Sequence, residues 1–107
     1  MDARERRLAE NEALFREVNE RVQEAAARGE GTYGFFCECA NVDCTFLITL
    51  ARQEYEAVRA DPKQFVVLPD HYTPEVEDLV ARHETHWIVR KEGEAGEYVE
   101  RLDPRSR

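Results

Sequence analysis

Three cysteines fall within eight positions, Cys37-x-Cys39-x4-Cys44 in FFCECANVDC, and the 107-residue chain has no others. An odd number cannot pair off within one chain, and a reducing compartment keeps thiols free, so a disulfide framework is disfavoured. Thiolates this crowded repel one another unless a cation holds them, and Zn(II) takes four soft or borderline donors at the corners of a tetrahedron. The fourth donor must then come from His71, His83 or His86, the three histidines of the chain. His71 is favoured, because it follows the apolar run QFVVLP in a turn bounded by Pro69 and Pro74, where an imidazole can be held over a neighbouring loop. His83 and His86 have H-x-x-H spacing but fall where a helix is expected to end and a strand to begin, which suits packing at the surface or core edge. Asp43 and Glu38 are the candidates if the fourth donor is oxygen.

The C-x-C-x4-C spacing is less diagnostic than paired C-x2-C knuckles. Free cysteine is among the most buried residue types, so three packed or redox-active thiols compete with zinc as a reading. A [2Fe-2S] cluster held by three Cys and one His is the minor alternative: such sites carry their His close behind the last Cys, whereas 26 residues separate Cys44 from His71.

The elements that must position these residues are legible from periodicity. Residues 2–28 read as one long helix, with Asp2 and Glu5 at capping-box spacing and Leu8, Phe15, Val18, Val22 and Ala25 recurring at three- and four-residue steps before Gly29 and Gly31. Glu12 with Arg16, Glu17 with Arg21 and Glu24 with Arg28 are acid-before-base pairs suited to an exposed face. Asn11 interrupts the apolar stripe, as a register-setting Asn would in a coiled-coil seam, although packing of the stripe on the chain's own sheet is the simpler expectation.

Beyond residue 31, TYGFFCE and CTFLITL read as strands and ARQEYEAVRAD as a helix that Pro62 stops. QFVVL reads as a central strand. Thr73 and Pro74 predict the start of a further helix with Val76, Leu79 and Val80 inside, and HWIVRK predicts the last strand. The expected fold is α+β: a long N-terminal amphipathic helix, then a small, mostly antiparallel sheet in the order β-β-α-β-α-β, with the metal site at the sheet ends. Residues 1–30 form the N-terminal helix, packed on the domain or used for partner binding, 31–92 a zinc-binding core, and 93–107 a charged, weakly ordered tail.

Composition narrows the function classes. With 23 acidic against 15 basic side chains the formal net charge is −8, which repels phosphate backbones and anionic lipid, so direct nucleic-acid binding and membrane association are not expected. Arg4, Arg6 and Arg7 interleave with Asp2, Glu5 and Glu10 and read as a solvated face, and Tyr33, Phe35 and Phe36 as core. No run approaches a membrane span and the N-terminus MDARERRLAENE is unlike a signal peptide, so a cytoplasmic protein is expected.

The segments NEALFREVNERV, FFCECANVDC, EYEAVRADPKQFVVLPDH and KEGEAGEYVERLDPR together resemble a family of small, largely uncharacterised proteins of high-GC, actinobacterial-type bacterial genomes, over nearly the whole chain. The resemblance implies Cys37, Cys39, Cys44 and His71 as one ligand set. Two positions depart from the family pattern: Asp70 stands where Gly is more usual, and Ala51 where Ser or Thr would cap the EYE helix. The resemblance implies no activity.

The function these observations favour is a small regulatory or protein-interaction module built on a structural Cys3His zinc site. Its expected partner is another protein, or a second copy meeting it through Leu8, Phe15, Val18 and Val22. A thiol/zinc redox sensor uses the same ligands. A small metalloenzyme, with water on a three-cysteine zinc and Glu38 or His71 as acid or base, lacks the motifs of zinc hydrolases and deaminases.

Overall fold

The computed structural model describes residues 1–26 and 31–106. Asp2 accepts a hydrogen bond from the Glu5 N–H at 2.7 Å and starts α1, Ala3–Ala25, as the capping-box spacing predicts. The expected end of this helix at Arg28, its Glu24–Arg28 pair and Gly29 lie outside the described residues.

The face that α1 buries coincides with the apolar stripe only in part, chiefly at Phe15. Ala9, Glu12, Ala13, Phe15, Arg16, Asn19 and Gln23 are buried, whereas Val18 is 38% exposed and Leu8 and Val22 are half-buried. The reason is that the polar side chains of this face find fixed partners on other elements. Glu12 is paired with the Lys91 ammonium, and Arg16 donates to the carbonyls of Pro62 and Val99 at 2.5 Å while its guanidinium lies 4.7 Å from the centre of the Phe65 ring. Glu12 and Arg16, expected as an exposed pair, are both fully buried and take their partners elsewhere, with Glu12 Oε2 and Arg16 Nε left unpartnered among the described residues.

After α1 the chain forms β1, Thr32–Phe36, and β2, Leu47–Ala51, an antiparallel pair with Phe35 opposite Ile48. Helix α2, Arg52–Arg59, follows directly. Ala51 offers no side-chain cap, but its N–H donates to Glu54 Oε1 at 2.8 Å, half of a capping box. Then come β3, Gln64–Val67, β4, Glu77–Arg82, and β5, Trp87–Lys91, in a second antiparallel sheet of order β3-β5-β4. Phe35 and Tyr55, stacked at 4.5 Å, join Ile48, Leu50, Val58, Phe65, Val66, Val67, Val89 and Val99 in one core. The α+β class with a long first helix holds.

Three local expectations are corrected. The segment after Pro74 forms a turn and then β4 instead of a helix, because Glu77, Leu79 and Ala81 also alternate and the hairpin with β5 pairs that alternation, with a bulge between Leu79 and Ala81. The central strand is β5. Phe65, Val66 and Val67 of QFVVL are buried for another reason: on the strand's free side the Glu38 N–H donates to the Val66 carbonyl at 2.8 Å, and the Glu38 carboxylate accepts from the Val66 N–H at 3.0 Å. Glu38 thereby closes the edge of β3 and joins the two sheets.

The expected weakly ordered tail over 93–107 instead carries α3, Gly93–Arg101, and a short 3-10 turn, Pro104–Ser106. Ala95 and Val99 bury one face of α3, and buried Asp103 pairs with Arg59. Gly96 lets the helix close on β5: a Cβ there would sit 2.6 Å from the Lys91 carbonyl oxygen.

Candidate metal centre

Three short segments converge where the two sheets meet. Cys37 and Cys39 extend from the end of β1, flanking Glu38, and both are buried members of the core that share a common point. Cys44 ends a tight turn in which its N–H donates to the Asn41 carbonyl at 3.0 Å and the Asn41 side chain accepts from the Asp43 N–H, a standard use of Asn in turns. His71 closes the turn Leu68-Pro69-Asp70-His71, its N–H donating to the Leu68 carbonyl at 3.0 Å. Proline second and a φ of +70° at Asp70 give this the type II pattern. The position suits Gly; Asp is among the few side chains that tolerate it.

The ligand atoms of Cys37, Cys39, Cys44 and His71 all lie within 4.8 Å of one another. The His71 Nδ1 atom is 3.5 Å from Cys37 Sγ and 3.7 Å from Cys44 Sγ. For a tetrahedral ion with metal–sulfur bonds of about 2.3 Å and a metal–nitrogen bond of about 2.0–2.1 Å, the sulfur–nitrogen edge is about 3.6 Å. The group can therefore hold one metal ion. The cysteines are 0–4% exposed and His71 is half-buried, so the sulfurs sit in protein and the imidazole closes the outer side.

The surroundings favour one negative sulfur among the three. The Leu68 N–H donates to Cys37 Sγ at 3.2 Å, support of the kind that outer groups give to metal ligands. Among the thiols themselves, the hydrogen bond to Cys39, followed by burial, pushes Cys37 far up. The same bond pulls Cys39 down to about 5, and burial raises Cys44. One thiolate stabilised by its neighbours is the starting point for binding a cation.

Of the other sequence candidates, none joins this group. Glu38 is fully buried and turned away, its carboxylate accepting from Asn19 Nδ2 at 2.9 Å, the Tyr55 hydroxyl at 2.7 Å and the Val66 N–H. Burial raises its pKa against the lowering effect of those donors. Asp43 is exposed on the loop. His83 and His86 stack on each other at 4.7 Å in the turn joining β4 and β5, where His86 is buried at the core edge, as the packing reading expects.

The support residues that sequence reasoning missed lie on α1. Asn19 braces the backbone of Phe36 and donates to Glu38, and Asn11 Nδ2 donates to the Ala40 carbonyl at 2.8 Å. These two amides grip the cysteine segment on both sides. The available signal was the pair itself: two Asn eight residues apart share one helix face, which points to two fixed polar anchors instead of a single register-setting residue.

No protein-family model, curated protein or solved structure matches the chain.

Proposed function

We propose that this protein is a small zinc-binding module of regulatory or protein-interaction type, in which Cys37, Cys39, Cys44 and His71 hold one structural zinc ion. The observation that carries this reading is the convergence of three sulfurs and one imidazole nitrogen from three separate segments within 4.8 Å. Three thiolates and an imidazole are a familiar structural zinc set, and four protein donors complete a tetrahedron, leaving no position for water or substrate. A two-iron cluster would spread its ligands over two ions, whereas these donors fit the span of a single one. For the enzyme alternative Glu38 is not free to act as a base, because it is committed to Asn19, Tyr55 and Val66, which leaves only His71.

In this reading the ion ties the end of β1 to the turn after β3, adding a clasp between the sheets to the one Glu38 makes. Small domains gain most from such clasps, since their cores bury a smaller share of the chain. The resemblance to small actinobacterial-type proteins and the cytoplasmic setting belong to the same proposal, because a reducing compartment keeps the three thiols available to metal.

The test is elemental analysis of protein purified without chelators or metal-affinity resin, repeated on Cys39→Ser and His71→Ala. One zinc per chain, lost or weakened in both variants together with thermal stability, is the expected result. Full retention in His71→Ala would replace the closed site with an open one, and no metal in any sample would end the zinc reading in favour of three packed thiols.

A further inference from the structure

We propose that the metal-binding loop is a docking surface for a partner segment that carries an apolar anchor flanked by basic residues, with Val42 and Phe46 as the contact. The proposal rests on the zinc reading in one respect: the ion holds the loop in its displayed shape.

Large hydrophobic residues left exposed are Met1, Leu14, Val18, Val42, Phe46, Leu47 and Val80 among the described residues, and three of these seven fall within positions 42–47. Exposed apolar residues scattered singly need no explanation, but a cluster on one loop does. Val42 and Phe46, on the loop itself, are 53% and 64% exposed, Leu47 begins β2, and the loop is held in place. The Phe46 carbonyl accepts from the Cys37 N–H at 2.9 Å, the Phe46 ring stands edge-on to His71 at 6.2 Å, and Leu47 lies across Gly34 of β1. Rigid display lowers the ordering cost of binding. Beside the loop a surface cavity of about 240 Å³, lined by Cys39, Asn41, Asp70, His71 and Tyr72, has room for one anchoring side chain.

Charge selects the occupant. Residues 35–51 and 64–74, which carry the cysteine segment and the His71 turn, contain no Lys or Arg. Asp43 and Asp70 are exposed beside the apolar residues and the cavity. Zinc with three thiolates and a neutral imidazole adds a further unit of negative charge. A basic segment is therefore complementary, whereas a second copy would bring the same acidic face and a net charge of −8 against it.

The test selects binders from a random peptide display library on the full-length, zinc-loaded protein, then titrates the enriched peptides by fluorescence anisotropy. The expected winners combine an aromatic or Leu anchor with Arg or Lys, and bind more weakly as salt rises. Their affinity falls about tenfold or more in Val42→Ser and Phe46→Ser, at unchanged zinc content and melting temperature. Asp43→Asn with Asp70→Asn weakens binding and its salt dependence without touching the apolar contact. No enrichment, acidic winners, or binding indifferent to these substitutions would overturn the proposal. A dimer in sedimentation that Phe46→Ser dissolves would overturn it in favour of a second copy. Equal binding after chelation would refute the role given to the ion, while absence of zinc in elemental analysis refutes the zinc reading whatever the peptides do.

Discussion

The side-chain amide of Asn19 grips the backbone of Phe36 from both directions, accepting from its N–H and donating to its carbonyl, each at 2.8 Å. A side chain on a helix thus supplies the pairing that a neighbouring strand would otherwise give β1, one residue before the first cysteine. Asn19 is fully buried, so its removal strands the Phe36 N–H and takes a donor from Glu38. Asn19→Ala should lower stability by about 2–3 kcal/mol, the cost of leaving buried polar groups unpaired, measured by urea unfolding of zinc-loaded protein. A loss within error of zero would mean that water replaces the amide freely and that α1 does not brace the site.

A metal held by Cys37, Cys39, Cys44 and His71 would tie the two sheets together, so removing it should loosen that join. The clasp at Glu38 survives chelation, so the expected outcome is a folded but less stable protein, with a melting temperature lower by several degrees and three thiols that react with a disulfide reagent faster than in the loaded state. Thiols equally slow before and after chelation would show that burial alone protects them.

Lys91 is buried between Glu12 and Glu77, with the ammonium paired to Glu12 and 3.9 Å from Glu77 Oε2. Among the described residues, Glu12 Oε2 and Glu77 Oε2 have no hydrogen-bond partner, and one cation faces two carboxyl groups. Burial, then the neighbouring Glu77 charge, raises the Glu12 pKa well above its ordinary value against the pull of Lys91. A carboxyl group with a raised folded pKa binds more protons folded than unfolded, so its contribution to stability is full at low pH and is lost as pH rises from the ordinary Glu value toward the folded one. Asp103 and Asp61 work in the opposite sense at the acid end: their lowered values give stability that is lost as pH falls through the folded pKa. Stability should therefore peak in mild acid and decline toward neutrality. Glu12→Gln, which keeps an acceptor for Lys91 and supplies a donor for Glu77, should flatten that decline; an unchanged pH profile in chemical denaturation would refute this account. Lys91→Met, in contrast, leaves two buried carboxyl groups without a cation and should cost about 3–5 kcal/mol at neutral pH.

Gly96→Ala sets helix propensity against packing. The added methyl favours α3 by about 1 kcal/mol, but its carbon would stand 2.6 Å from the Lys91 carbonyl oxygen and 3.2 Å from the carbon behind it. Backbone atoms of a central strand cannot yield as a side chain tip can, so a net loss of about 1–3 kcal/mol is expected from the overlap. Stabilisation on urea unfolding would show that α3 shifts along β5 at little cost.

The residue types and spacing of the chain determined the ligand candidates, the start of α1, both strands around the cysteines and α2, because those depend on local chemistry: caps, turn residues, and side chains that repeat with the period of their element. Cys37, Cys39 and Cys44 are close in sequence and had to be close in space. His71 could be named, from its place after an apolar strand and between prolines, but its meeting with Cys37 across 34 positions was decided by the fold. What brings it there is Glu38 on Val66, a contact between sheets that no periodicity encodes. The same limit explains the failures. Segment 77–82 carries a pattern that serves a helix or a strand, and pairing with β5 selected the strand. Helix α1 has an apolar stripe, yet partners on β1, β3, β5 and α3 and in the loops turned its Glu12–Arg16–Asn19 face inward, because leaving those polar groups buried without partners would cost more than leaving Val18 exposed. Sequence specified which groups were available; only the tertiary structure decided which of them would meet.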